Sequence, residues 1–192
     1  MASSDKNRVE FGFKNLHFAK YTYDPSNSES PVTIGTPIHV PGAVNFSPET
    51  DSSTDDFYAD DGAYFSAITD GLESGDLEVA HFTDEWKTTF GGYVKTSDGA
   101  LATVKNPSRP AFCLIMESDG DAQKSRHIWY NCTCGPIKRE YATKEGSTEV
   151  KTETTPISCT GDTVTGIRHA TYHPGDTGYD TLFTAPTAPK LG

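Results

Sequence analysis

Pro110–Cys134 reads PAFCLIMESDGDAQKSRHIWYNCTC. Pro110–Glu117 has a continuous apolar centre, the pattern of a strand buried on both faces. Asp119, Gly120 and Asp121 are turn formers. Arg126–Cys134 (RHIWYNCTC) then runs back as the partner strand. The stretch is an antiparallel hairpin with a buried first arm, and it sets the expectation of a β protein.

The flanking sequence agrees. Upstream, Val9–Phe13 (VEFGF) and Tyr21–Tyr23 (YTY) alternate apolar and polar residues, as half-buried strands do. Asp24–Pro31 is a turn, Thr33–Val40 a strand ended by Pro41 and Gly42, and Ala43–Phe46 the start of another. Ala63–Ile68 and Leu77–Phe82 are two further strands. Thr83–Phe90 is the one helix: Thr83 can cap it, Asp84 and Glu85 suit its first turn, and Trp86 and Phe90 share a face. Gly91 and Gly92 end it. Tyr93–Thr96 and Ala100–Lys105 flank an Asp98-Gly99 step, a strong hairpin signal. Downstream, Thr148–Thr155 (TEVKTETT) reads as a polar edge strand. Pro156–Cys159 and Gly166–Tyr172 add two more, and 186–192 is a loose tail. The sum is about nine or ten short strands and one helix, a β-sandwich or barrel with a flanking helix. Residues 1–192 are long enough for one domain.

Charge is distributed unevenly. From Tyr21 to Trp86 there are 14 acids and no lysine or arginine, whereas the rest of the chain carries 16 bases against 13 acids. A one-signed block of this length repels anions and keeps its surface solvated. Its most polar part, Ser47–Asp61 (SPETDSSTDDFYADD), lacks any apolar period and reads as a long mobile acidic loop of about fifteen residues. Phe57, Tyr58, Tyr64 and Phe65 in or beside it point to core or interface packing. Stacking on nucleic acid would come with a basic groove, which this region lacks. The acidic balance argues against a nucleic-acid-binding surface. The longest apolar run, Ala111–Met116, is too short to span a bilayer, so no membrane partner is expected. The N-terminus, MASSDKNRV, has no signal-peptide core, which predicts synthesis and retention on the cytoplasmic side.

Catalytic and metal signatures are incomplete. Cys113, Cys132, Cys134 and Cys159 match no common zinc spacing and read as buried free thiols, with Cys132 and Cys134 on one strand face. His169 and His173 in HATYH would share a face but lack a third ligand. Asp51, Asp55, Asp56, Asp60 and Asp61 offer oxygen ligands without the spacing of a calcium-binding loop. There is no Gly-x-Ser-x-Gly elbow and no phosphate-binding glycine loop. These readings give no catalytic residue, no metal and no cofactor, and the protein is expected not to be an enzyme.

Three segments taken in order resemble the major tail proteins of long-tailed bacteriophages, the subunits of the tail tube. They are PIHVPGAVNFSPE from Pro37, FYADDGAYFSAITDGLESGDLEVAHF from Phe57, and TDEWKTTFGGY from Thr83. The segment FCLIMESDGDAQKSRHIWYNCT also looks like that family's central hairpin. The likeness covers roughly residues 33–160 and rests on the order of elements. It implies a structural virion protein, a β-sandwich that forms hexameric rings. The rings stack into a tube through which DNA passes without specific binding. The implied partners are further copies of itself, the tape measure, and tail-tip or terminator proteins. The implied location is the virion tail, assembled in the host cytoplasm. In the family the long early loop contacts the next ring, which assigns Asp51, Asp55, Asp56, Phe57 and Tyr58 to ring stacking. Glu73, Asp76 and Glu78 fall to the lumen side, where acids would keep phosphates from sticking. The competing reading is a carbohydrate- or receptor-binding β-sandwich module that uses the same aromatics and acids.

Overall fold

The computed structural model describes residues 12–59, 61–120, 123–141, 143 and 150–191. The expected strand residues Val9–Phe11, Thr148 and Glu149 lie outside them, as do Asp60 of the acidic segment, Asp121 of the turn and Gly192 of the tail.

The chain runs β1 (Gly12–Tyr23), β2 (Val32–Ile34), β3 (Ile38–His39), β4 (Ala43–Phe46), β5 (Glu49–Ala59), β6 (Gly62–Val79), α1 (Asp84–Thr89), β7 (Tyr93–Lys95), β8 (Leu101–Thr103), β9 (Phe112–Asp119), β10 (Arg126–Cys134), β11 (Lys138–Arg139), β12 (Glu153–Cys159) and β13 (His169–Tyr172). The fold is mainly β with one short helix, as the sequence predicts. One 11-stranded antiparallel sheet carries the order β2-β1-β9-β10-β12-β6-β4, and β7-β8 form a separate hairpin. The large sheet coils until β4, at one end, approaches β1 near the other.

Strand β9 is the centre, and its apolar run explains why. It pairs with β1 on one edge and β10 on the other, so it meets no solvent on either edge. Phe112, Leu114 and Met116 point to the concave face and join Leu16, Phe18, Leu77, Val79 and Trp129. Cys113 and Ile115 point to the convex face and join Tyr21, Ile128, Tyr130 and Leu182. Period-two alternation thus feeds two cores from one strand.

Helix α1 closes the concave core at one end. Thr83 Oγ1 accepts from the Trp86 N–H at 3.2 Å, and Gly92 (φ 76) turns the chain out of the helix. Trp86 is fully buried, stacked on Phe82 at 4.0 Å and edge-on to Phe18 at 5.3 Å.

Several sequence readings change. The acidic segment is no structureless loop: Glu49–Ala59 is strand β5, paired along its length with β6. Ala63–Ile68 and Leu77–Phe82 are not separate strands, because β6 runs unbroken for 18 residues. Gly75 permits this. A side chain there would collide with the Ser47–Pro48 backbone, where the chain passes from the β4 pairing to the β5 pairing along the same edge. The expected polar edge strand is also displaced. Glu153–Cys159 is one inner strand between β10 and β6, and Glu153 and Thr155 point inward. Not all the cysteines are free thiols. Cys132 and Cys159 sit directly opposite each other on β10 and β12 and form a disulfide, while Cys113 and Cys134 remain free and buried. The segment after 185 packs rather than hanging loose, with Pro186 and Pro189 buried and Ala188 against the convex core.

Candidate assembly interface

Among the described residues, the outer half of the β5–β6 hairpin has no support from the rest of the fold. Strand β5 pairs with β6 alone, and the base of the arm is held by Arg168, whose Nη1 donates to the Gly71 carbonyl at 2.7 Å. Beyond that point both faces of the ribbon meet solvent. Ser52, Thr54 and Asp56 share one face with Asp70, Ile68 and Ser66, and Ser66 Oγ donates to Asp56 Oδ1 at 2.6 Å. Asp55 and Phe57 share the other face with Ala67 and Phe65. Phe57, Tyr58, Tyr64, Phe65 and Ile68 are 60–76% exposed, so none is core of this chain. Large exposed apolar side chains gathered on both faces of one arm mark an interaction surface. The five residues assigned to ring stacking are all on this arm and all exposed. Asp55–Tyr58 lie in its outer half, and Asp51 sits near its base against Gly71.

The three acids assigned to the lumen are not brought together. In β6, Leu77, Val79, Gly75 and Glu73 point one way and Ser74, Asp76 and Glu78 the other, by period-two alternation. Asp76 is exposed, and Glu78 is half-buried and accepts from Thr152 Oγ1 at 2.5 Å. Both lie on the convex face beside Thr154, Pro156 and Ser158 of β12, a polar strip outside the convex core cluster. Glu73 is on the concave side, where it accepts from Trp129 Nε1 at 2.6 Å. Glu73 therefore lies on the opposite face of the sheet from Asp76 and Glu78.

A cluster the sequence reading missed lies at the opposite end of β6 from the hairpin tip. Glu153, 2% exposed, pairs with Val79 in register. It accepts from the Phe82 N–H at 2.7 Å and faces Lys87 Nζ at 3.1 Å, His81 Nδ1 at 3.1 Å and Arg139 Nη1 at 3.5 Å. Burial pushes the Glu153 carboxyl up, but the Phe82 hydrogen bond, Lys87 and His81 together outweigh it and hold it below the usual carboxylate range. Arg139 also lines a groove of about 390 Å³ with Lys138, Glu140, Val150, Lys151, Thr152 and Thr154. No sequence period announces it, because its cations come from two separated segments that β11 and β12 bring side by side.

No family model matches the chain, and no curated protein does. Among solved structures it is similar to the tube-terminating cap of the anti-feeding prophage, at 11% identity over 90% of this chain and 99% of that one, with a TM-score of 0.47. It is similar at 9% identity, with the same coverage and TM-score, to a chain of the sheath–tube complex of an extracellular contractile injection system, PVC, in the extended state. At this identity and TM-score the likenesses carry no weight for function.

The histidines do not assemble as their spacing suggests. His169 stacks on Trp129 at 4.3 Å and lies 3.3 Å from His127, whereas His173 faces Asp176. Burial, reinforced by His127, holds His169 below the usual imidazole range against the opposing pull of Glu73. His127 Nε2 is 2.9 Å from Ser118 Oγ, but Ser118 is 6% exposed and presents no hydroxyl to a substrate. Among the described residues no group of three or more His, Cys, Asp or Glu side chains converges to hold a metal. Burial pushes the free thiols of Cys113 and Cys134 up to about 12 and about 11, the opposite of a reactive thiolate.

Proposed function

We propose that this protein is a structural subunit of a phage-type tail tube, built from hexameric rings that stack through the β5–β6 hairpin and enclose a lumen for DNA. The observation that carries this reading is the hairpin itself: exposed acids and aromatics on an arm whose outer half rests on none of the other described residues. A two-stranded ribbon of this kind is marginal alone in water, and a neighbouring subunit would supply the missing contacts. The charge pattern supports the same reading. A strip bearing Asp76 and Glu78, within a stretch free of lysine and arginine, would repel phosphates where a cationic wall would hold them by counterion release. The order of elements that resembles tail-tube subunits supports it further. In this role the chain works with other tail proteins in the virion, needs no cofactor and catalyses nothing.

Negative-stain electron microscopy over a concentration series tests this reading. Rings or tubes with an open centre are expected, and Phe57→Ser with Tyr58→Ser should leave the melting temperature in place while shortening tubes to single rings. The exposed aromatics also suit a glycan-binding module. Glycan binding by particles that stay single at every concentration would replace the tail-tube reading with that one.

A further inference from the structure

We propose that the Lys138–Arg139–Lys151 groove is the seat for the hairpin of a second copy of this chain, so that copies join head to tail along the axis of β6. This rests on the self-assembly reading above and names the surface that receives the hairpin. The hairpin tip and the groove lie at opposite ends of β6. Strand β6 spans 18 residues, about 60 Å when extended at ~3.3 Å per residue. The hairpin turn lies before Gly62, and Val79, at the other end, is in register with Glu153 and through it with Arg139. A knob at one end of a strand and a groove at the other form a heterologous pair, which generates an open stack rather than a closed dimer.

The two ends also differ in charge. The arm carries Asp51, Asp55, Asp56, Asp61 and Asp70 with no base. Among the described residues the groove holds Lys138, Arg139 and Lys151 with one carboxylate, Glu140, which lies 3.7 Å from Lys151. Among the described residues Lys138 is exposed and has no carboxylate partner, and Arg139 reaches buried Glu153 at 3.5 Å. Opposite potentials at the two ends steer parallel stacking, and like potentials oppose end-reversed pairing. Arg139 lies over the exposed Tyr141 ring at 5.1 Å, and Val150 is 80% exposed, so apolar surface is available to Phe57 and Tyr58 beside the cations.

A second cationic groove, with Lys14, Lys124 and Arg126, fits less well. It lies at the β9–β10 turn, the same end of the sheet as the hairpin. Its Lys14 and Arg126 pair with Asp119 at 2.7 Å and Glu117 at 3.3 Å, closer than Arg139 to Glu153 at 3.5 Å or Lys151 to Glu140 at 3.7 Å.

The test is a reciprocal charge swap followed by sedimentation velocity. One full-length variant carries Asp55→Lys and Asp56→Lys, and the other carries Lys138→Glu and Lys151→Glu. All four side chains are at the surface, and unchanged melting temperatures confirm folding. Each variant alone should associate at least about tenfold more weakly than wild type. An equimolar mixture should recover to within about threefold, because the basic hairpin of one fits the acidic groove of the other. Wild-type association should weaken with added salt, as screened surface pairs do. Variants that associate normally alone, or a mixture that does not recover, would overturn the seat while leaving self-assembly intact. A wild-type protein that stays monomeric at every concentration would overturn both.

Discussion

Glu153 is the buried charge on which the groove end of the molecule depends, and replacing it by alanine gives a worked test. The carboxylate is 3% exposed at its side chain, and the Lys87 ammonium opposite is 8% exposed. Removing the carboxylate strands a buried ammonium and leaves the Phe82 N–H without its 2.7 Å acceptor. Breaking a buried pair from one side costs about 3–5 kcal/mol, because the remaining charge keeps its desolvation penalty. His81 and Arg139 add little to that cost, since both reach solvent. For a chain of this length about 3–5 kcal/mol corresponds to a fall in melting temperature of roughly 6–20 °C. Glu153→Gln should fall less, because its amide oxygen still accepts from Phe82. Glu153→Leu with Lys87→Met should recover part of the loss. The pH dependence has a definite sign. The folded Glu153 carboxyl lies below its ordinary value of 4.5, so its stabilisation is fully present above that value and is lost as pH falls through the folded one. The gap between wild type and Glu153→Gln should therefore close on acidification below 4.5. Differential scanning calorimetry at several pH values measures all of this. A loss below about 1 kcal/mol for Glu153→Ala at neutral pH would refute the reasoning, since that is the value of a solvated surface pair.

Three further outcomes follow from the structure. Trp86→Ala should destabilise by about 3–5 kcal/mol by opening a cavity between α1 and the concave core, read by urea unfolding. Reducing the Cys132–Cys159 bond, which closes a separation of 27 residues, should remove about 3.5 kcal/mol by the loop-entropy relation. Melting curves with and without a thiol reductant, with Cys132→Ser/Cys159→Ser as the control, check this. Asp76→Lys with Glu78→Lys should leave assembly intact and slow DNA transit through the tube, measured as ejection kinetics from particles carrying the variant.

The parts of the fold legible in the sequence are those whose burial leaves a period. Phe112–Met116 is sealed on both faces, so it reads as a continuous apolar run. Thr83–Phe90 shows its cap, its first-turn acids and its Trp86/Phe90 face. The β5 strand was opaque for the opposite reason. Glu49–Ala59 lies in a ribbon with both faces in water, so no apolar alternation marks it, and only its pairing with β6 makes it a strand. Ala63–Ile68 and Leu77–Phe82 read as two strands because Asp70, Gly71 and Gly75 interrupt the apolar pattern between them. Gly75 serves a steric need of the neighbouring backbone instead. The acids of the candidate site were legible as composition but not as faces. Once β6 is known to be continuous, parity alone separates Glu73 from Asp76 and Glu78. The groove was illegible because Lys138–Arg139 and Lys151 become neighbours only through the β11–β12 pairing. Likewise, Cys132 and Cys159 gave no spacing signal, because their bond depends on the β10–β12 register.

The measurement that bears most directly on the central claim is cryo-electron microscopy of the purified full-length protein at high concentration, classified by end-on view. The account predicts sixfold rings with an open centre, Asp76 and Glu78 on the lumen wall, and the β5–β6 hairpin bridging to the next ring. Particles that remain single copies at every concentration, or rings whose hairpins point away from the neighbouring ring, would contradict it.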